Sequence, residues 1–384
     1  VLLIALSLYT VLSQMSTSPN VLLRLPTCDY RMVLLLVLLS LTIGQLAAQN
    51  VEQHYQEKAE NAKEQGNYQE AILEYEKLIE QNPQNPEYPF QKAMCYYRLG
   101  DYNTSIRLSN SLVDQYPFTA KYYRLLGNSY DLQGDYFTAL DILEMGNANI
   151  ANNGELYLDL GIIEMIRGDK FRAINYWEKG IEKAPHFGEN YYWAAKHYAN
   201  TNEKVWVLIY SEIFLNIERS TDRFNEISKL LYDTYVELLY GNGGDYEMYL
   251  PRSSANNFYD TYRAIIGQIV SEADLPAPVV VNGAVSESHL AGISKARKRF
   301  VEIWNETYSD YVSCDLFIYH NDMVRRGLFD SYTHWLMINA KPKYFMSWQK
   351  LNNLSYQKFI NWFISNKMNI DKNNYIVRMQ YEAN

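Results

Sequence analysis

Four glycines, Gly66, Gly100, Gly134 and Gly168, recur at an interval of 34 residues without slippage. This spacing constrains the chain more than any other feature. Five positions after each stand Ala71, Ser105, Ala139 and Ala173, and seven before each stand Ala59, Ala93, Gly127 and Gly161. Seventeen after come Pro83, Pro117, Ala151 and Pro185. A glycine takes a left-handed cap at no steric cost, so each of the four is predicted to end a first helix. The small residues let a second, antiparallel helix approach closely. Proline cannot continue a helix and closes the hairpin. Between these marks lie large side chains: Tyr55, Tyr75, Tyr96, Tyr123, Tyr130, Leu143, Tyr157 and Trp177. A lone hairpin cannot bury them, but stacked hairpins can.

The repeats read 52–85, 86–119, 120–153 and 154–187, with a degenerate fifth at 188–221. That unit has Asn202 where glycine is expected and Val207 in place of the small residue, which predicts a looser hairpin. A 34-residue helix–turn–helix period with these small positions resembles the tetratricopeptide repeat (TPR) family over roughly 135 residues. The fold class expected is all-α: a superhelical solenoid over 49–221, then an irregular helical region at 222–369. The period is read as lost after 220. Helices are predicted at about 222–240, 256–270, 287–309, 314–326, 329–338, 343–352 and 355–367, with an extended connector at 274–286. A polar tail, 370–384, is expected to fray.

Residues 1–48 read as leader. An apolar run at 32–43 follows Arg24 and Arg31, and small residues end at Ala47-Ala48, the order of a secretory signal with cleavage after Ala48. A dozen apolar residues fall short of a membrane span, so no integral membrane segment is expected in the mature chain. Cys28 follows Thr27, a poor lipobox residue. The location expected is the periplasm of a Gram-negative envelope, or association with its outer membrane. Cys95, inside a first helix, is read as buried and free.

A net charge of −9 argues against a general nucleic-acid binder. No two histidines share a metal-ligand spacing, and no nucleophile elbow or phosphate-binding glycine loop occurs, so no enzyme, metal or cofactor is expected. Asn242–Glu247 lacks the alternating ligands of a calcium loop and reads as a turn. Lys295, Arg297, Lys298 and Arg299 read as a solvated basic face.

What the resemblance implies for function is a protein or peptide partner held in a concave groove lined by first helices. Carried over by repeat position, the second repeat supplies Glu87, Phe90, Met94, Tyr97 and Arg98. The third supplies Lys121, Arg124, Asn128, Asp131 and Leu132, and the fourth Glu155, Leu158, Ile162, Met165 and Ile166. Tyr192 and Lys196 come from the fifth. Arg124 and Asn128 match the basic-then-Asn pair of the family's carboxylate clamp, but Asp159 and Glu189 stand where its remaining Asn and Lys belong. The competing interpretation is a glycan- or nutrient-binding protein of the SusD-like type, against which the missing lipobox counts.

Overall fold

A computed structural model describes residues 30–219, 221–241, 257–272, 280–281, 284–285, 289–310 and 313–382. The chain forms two compact units, Val1–Cys95 and Tyr96–Asn384. The residues around Cys28 and the Asn242–Glu247 turn lie outside the described residues.

In the first unit, α1 (Tyr30–Glu64) runs unbroken from the apolar segment through Ala48 into the first repeat, where α2 (Tyr68–Gln81) folds back on it. Among the described residues no helix is long and apolar enough to cross a membrane. Gly66 turns the chain at φ +75°, and the facing Ala59 and Ala71 are fully buried. The Tyr75 hydroxyl donates to Glu60 (2.6 Å) across the hairpin. The next helix, α3 (Glu87–Leu99), begins in this unit, with Cys95 buried and free.

The second unit continues with α4 (Tyr102–Gln115), then the hairpins α5 (Ala120–Gln133)/α6 (Tyr136–Asn149), α7 (Glu155–Ile166)/α8 (Lys170–Lys183) and α9 (Gly188–Ala199)/α10 (Lys204–Ile217). The punctuation has two parts. Gly100, Gly134 and Gly168 adopt φ between +80° and +94°. The aspartates that follow, Asp101, Asp135 and Asp169, accept from the N–H groups of Thr104, Thr138 and Arg172. Glycine stops one helix and aspartate starts the next, satisfying donors that would otherwise lack partners. Close approach explains Gly161, where a Cβ would lie 2.2 Å from Trp177 Nε1.

Two expectations about the end of the array need correction. The fifth hairpin is not loose: Val207 is fully buried, and 13 of the 14 residues of α10 are buried. A helix enclosed on all sides tolerates a larger residue because later helices supply further walls. Nor does the spacing stop at 220. α11 (Asp222–Tyr240) opens 34 residues after α9 (222 − 188), capped by Thr221, whose hydroxyl accepts from Phe224 N. Its punctuating glycine is absent, so the rhythm is invisible in the sequence, yet Arg223 bonds Glu189 and Tyr192 bonds Glu226, both pairs 34 apart.

Beyond it come α12 (Asn257–Ser271) and a two-residue antiparallel ladder, β1 (Val280–Val281) with β2 (Ala284–Val285). Next is α13 (Leu290–Ile303), extended by a π-helical turn at Trp304–Tyr308. Then follow α14 (Asp315–Arg325), α15 (Phe329–Leu336), α16 (Pro342–Leu351), α17 (Asn353–Ser365) and α18 (Met379–Glu382). One apolar core runs from α7 to this last segment. Through residue 382 the tail is docked rather than frayed. Ile376 and Val377 are buried, and Arg378 pairs with the buried Glu178 of α8. Tyr381 adds a contact with the ring of Phe258 (4.2 Å), so scattered apolar residues and one cation dock an otherwise polar stretch.

Candidate functional site

The residues assigned to the groove fall into both units. In the first, Phe90 is buried and Met94 half-buried on α3. The others lie in the second unit. There Tyr97 meets Tyr102 edge-on (5.9 Å), its hydroxyl pushed up mainly by burial, and Arg98 is exposed. Lys121 lies 5.5 Å over the ring of Tyr122.

Within the second unit, an ion pair joins α5 to α7. Arg124 on α5 donates through Nε and Nη2 to the two oxygens of Asp159 on α7 (2.6 and 3.1 Å), and through Nη1 to Glu155 (3.1 Å). Burial pushes the Asp159 carboxyl above the usual carboxylate range, although Arg124 and Asn128 pull it down. Burial works against the Arg124 charge, but Asp159 and Glu155 outweigh it and hold the guanidinium more firmly protonated than a free one. Bidentate pairing is the strongest geometry available to these groups. The pair that resembled a carboxylate clamp is therefore satisfied from within: Asp159, standing where the family has Asn, supplies the carboxylate itself. Glu189, standing where a Lys belongs, is taken up by Arg223 (3.0 Å).

Beside this pair the apolar residues divide. Leu158 is buried, and its carbonyl accepts from Trp177 Nε1 (3.3 Å). Tyr192 is buried too, its hydroxyl donating to Glu226 (2.6 Å), to which Lys196 is also paired (2.7 Å). Both belong to the packing between helices. Ile162 and Met165 are half-buried against the core, while Ile166 is 75% exposed. α7 thus offers an apolar strip rising from the core to solvent, next to a neutralised cation.

The helical half holds a second constellation, in which Arg297 does not belong to the solvated face assigned to it. It lies on the buried side of α13 with Ile293 and Phe300, and Nη2 donates to the buried Glu212 of α10 (2.6 Å). His320 Nε2 meets the same carboxylate oxygen (2.6 Å). Burial alone would raise the Glu212 carboxyl, but Arg297 and His320 hold it at about 2, while burial drives the His320 imidazole down against the pull of Glu212. Lys298 and Arg299 do face outward, bonded to Glu302 and Glu272. The cavity beside this cluster, about 20 Å³, has room for about one water molecule and none for a substrate. Its role is to clamp α13 and α14 onto α10. The spacing Ile293–Arg297–Phe300 placed Arg297 on the apolar stripe, a signal present in the sequence. Among the described residues no group of His, Cys, Asp and Glu could hold a metal ion.

Residues 62–128 match the family model described as tetratricopeptide repeat. No curated protein matches the chain. Among solved structures, a thermophilic TPR protein of Thermus thermophilus is similar at 19% identity, over 47% of this chain and 98% of that one (TM-score 0.38). MamA of Desulfovibrio magneticus is similar at 18%, over 45% and 97% (TM-score 0.32). Pseudomonas aeruginosa PilF is similar at 13%, over 52% and 97% (TM-score 0.37).

Proposed function

Being a tetratricopeptide-repeat protein, this chain is, we propose, a non-catalytic scaffold or adaptor of the cell envelope that holds a segment of a partner protein against its first helices. Helix–turn–helix arrays of this kind act through protein contacts. The observation that carries the reading is the strip on α7: Ile162, Met165 and the exposed Ile166 beside an Arg124 already engaged by Asp159. A site whose cation is spent internally selects by apolar anchors, the way a helix or extended segment is commonly held. It does not await a free terminal carboxylate. Location in the envelope rests on the apolar run at 32–43 and the Ala47-Ala48 boundary. N-terminal sequencing of the exported protein should begin at or near Gln49, and a retained Met15 or Met32 would remove that part of the reading.

Partner retention by Ile166→Asp, set against Met145→Asp on the second helix of the preceding repeat, tests the site. Both side chains are exposed, so both variants should fold. Losing a largely buried isoleucine contact costs about 1–2 kcal/mol, so Ile166→Asp should weaken capture roughly tenfold while Met145→Asp leaves it unchanged. Equal retention by both would place the contact elsewhere.

A further inference from the structure

The 40 residues from 331 to 370 contain five lysines (341, 343, 350, 358 and 367) and not one aspartate or glutamate, in a chain whose net charge is −9. Most of this segment is the hairpin α16–α17. Its inner side is fixed: Phe345, Tyr356, Phe359 and Phe363 are buried, and Trp348 stacks on His334 at 3.8 Å. Its outer side is what the fold does not use. Lys343, Met346 and Lys350 follow one another at helical spacing on the exposed face of α16. The turn that follows carries Leu351 and Leu354, 87% and 86% exposed, with Met346 at 59%. Lys343, Lys350 and Lys367 have no carboxylate within ion-pair distance among the described residues.

We propose that this hairpin docks onto the headgroup face of an anionic lipid bilayer. Two leucines standing on a convex turn have no concave wall of their own to enter. A bilayer interface accepts such side chains at the acyl boundary, while Lys343 and Lys350 on α16 reach the phosphates. Charge complementarity favours the lipid surface: outward lysines on a segment without carboxylates of its own give an acidic chain a place that an anionic membrane attracts. An acidic protein partner would also satisfy the lysines, but it would leave the two leucines of the turn without a function. The inference is independent of the groove on α7.

The test is co-sedimentation of the full chain with phosphatidylcholine vesicles, with and without a minor fraction of phosphatidylglycerol, at low and at molar salt. The variants are Lys343→Gln/Lys350→Gln and Leu351→Ser/Leu354→Ser, all at exposed positions. The expected result is binding only to the anionic vesicles, weakened by salt. The lysine pair should lower the partition roughly tenfold or more, and the leucine pair about tenfold. No binding of the unaltered chain would overturn the proposal, as would equal binding by all variants, which would place the attachment elsewhere, such as the apolar leader. Retention on heparin together with indifference to Leu351→Ser/Leu354→Ser would also overturn it, marking a general polyanion site instead.

Discussion

Removing Arg378 should cost more than its place near the chain end suggests. Its Nε and Nη2 donate to the two oxygens of Glu178 (3.3 and 3.1 Å), and its backbone N–H donates to the Tyr210 hydroxyl (2.9 Å). Glu178 is fully buried on α8. The hydroxyls of Tyr198 and Tyr210 donate to its Oε1 (2.9 Å each), so after Arg378→Ala one oxygen keeps its donors and Oε2 loses its guanidinium. Stripping one partner from a buried pair typically costs about 3–5 kcal/mol. The two tyrosines temper that, and the carboxyl, already pushed up by burial, can escape part of the penalty by taking a proton. A loss of about 2–4 kcal/mol is expected from urea unfolding of Arg378→Ala. Glu178→Gln in the same background should recover about 1 kcal/mol or more, since an amide is cheaper than an unpaired carboxylate to bury. Truncation after Asn369 should lose at least as much as Arg378→Ala, because Ile376 and Val377 leave with it. Arg378→Ala within about 0.5 kcal/mol of the unaltered chain, the usual range for surface changes, would show that the docked tail contributes nothing.

Arg124→Ala leaves Asp159 buried without its guanidinium and should destabilise the second unit by about 3 kcal/mol in urea, so its effect on partner binding must be read beside Arg124→Ala/Asp159→Asn, which should refold. Gly161→Ala drives a methyl into Trp177 and should cost about 1–3 kcal/mol, whereas alanine at Gly188, whose nearest side chain is 3.2 Å away, should cost less, both measured by thermal melting. Acid should destabilise the fold in a defined window. Burial holds His197 at about 4, so it stays neutral when folded while the unfolded chain protonates near 6.5, and burial lowers His320 as well. Stability present above 6.5 is then lost as pH falls towards 4, by about 2 kcal/mol for the half-buried His197 alone. His197→Gln should flatten that slope in denaturant titrations at successive pH values.

The repeat architecture was legible because its residues act locally: each glycine serves a turn whose partners lie within a few positions. The small residues were legible for the same reason, since Gly161 meets Trp177 only sixteen residues on. What escaped depends on contacts distant in sequence. Nothing around Arg378 announces Glu178, 200 residues earlier, and the enclosure of α10 depends on helices that the period does not reach. Arg297 is intermediate: its place on the apolar stripe of α13 was readable, but Glu212, 85 residues away, was not. For the candidate groove, Asp159 was visible as a departure from the clamp pattern. Only the bidentate geometry shows that the departure fills the clamp. Of the strip on α7, the sequence could not divide Leu158, which packs inward, from Ile166, which stays exposed.

Photo-crosslinking bears most directly on the claim that the first-helix face of the array holds a partner. The full chain would carry p-benzoylphenylalanine at position 166 or, as control, at position 145, with irradiation in the native cells and identification of adducts by mass spectrometry. Both side chains are exposed, so both probes are presented to solvent. One discrete protein adduct is expected from position 166, mapped to a single segment of the partner, and none from position 145. Adducts from 145 with none from 166 would contradict it and assign the interaction to the second helices.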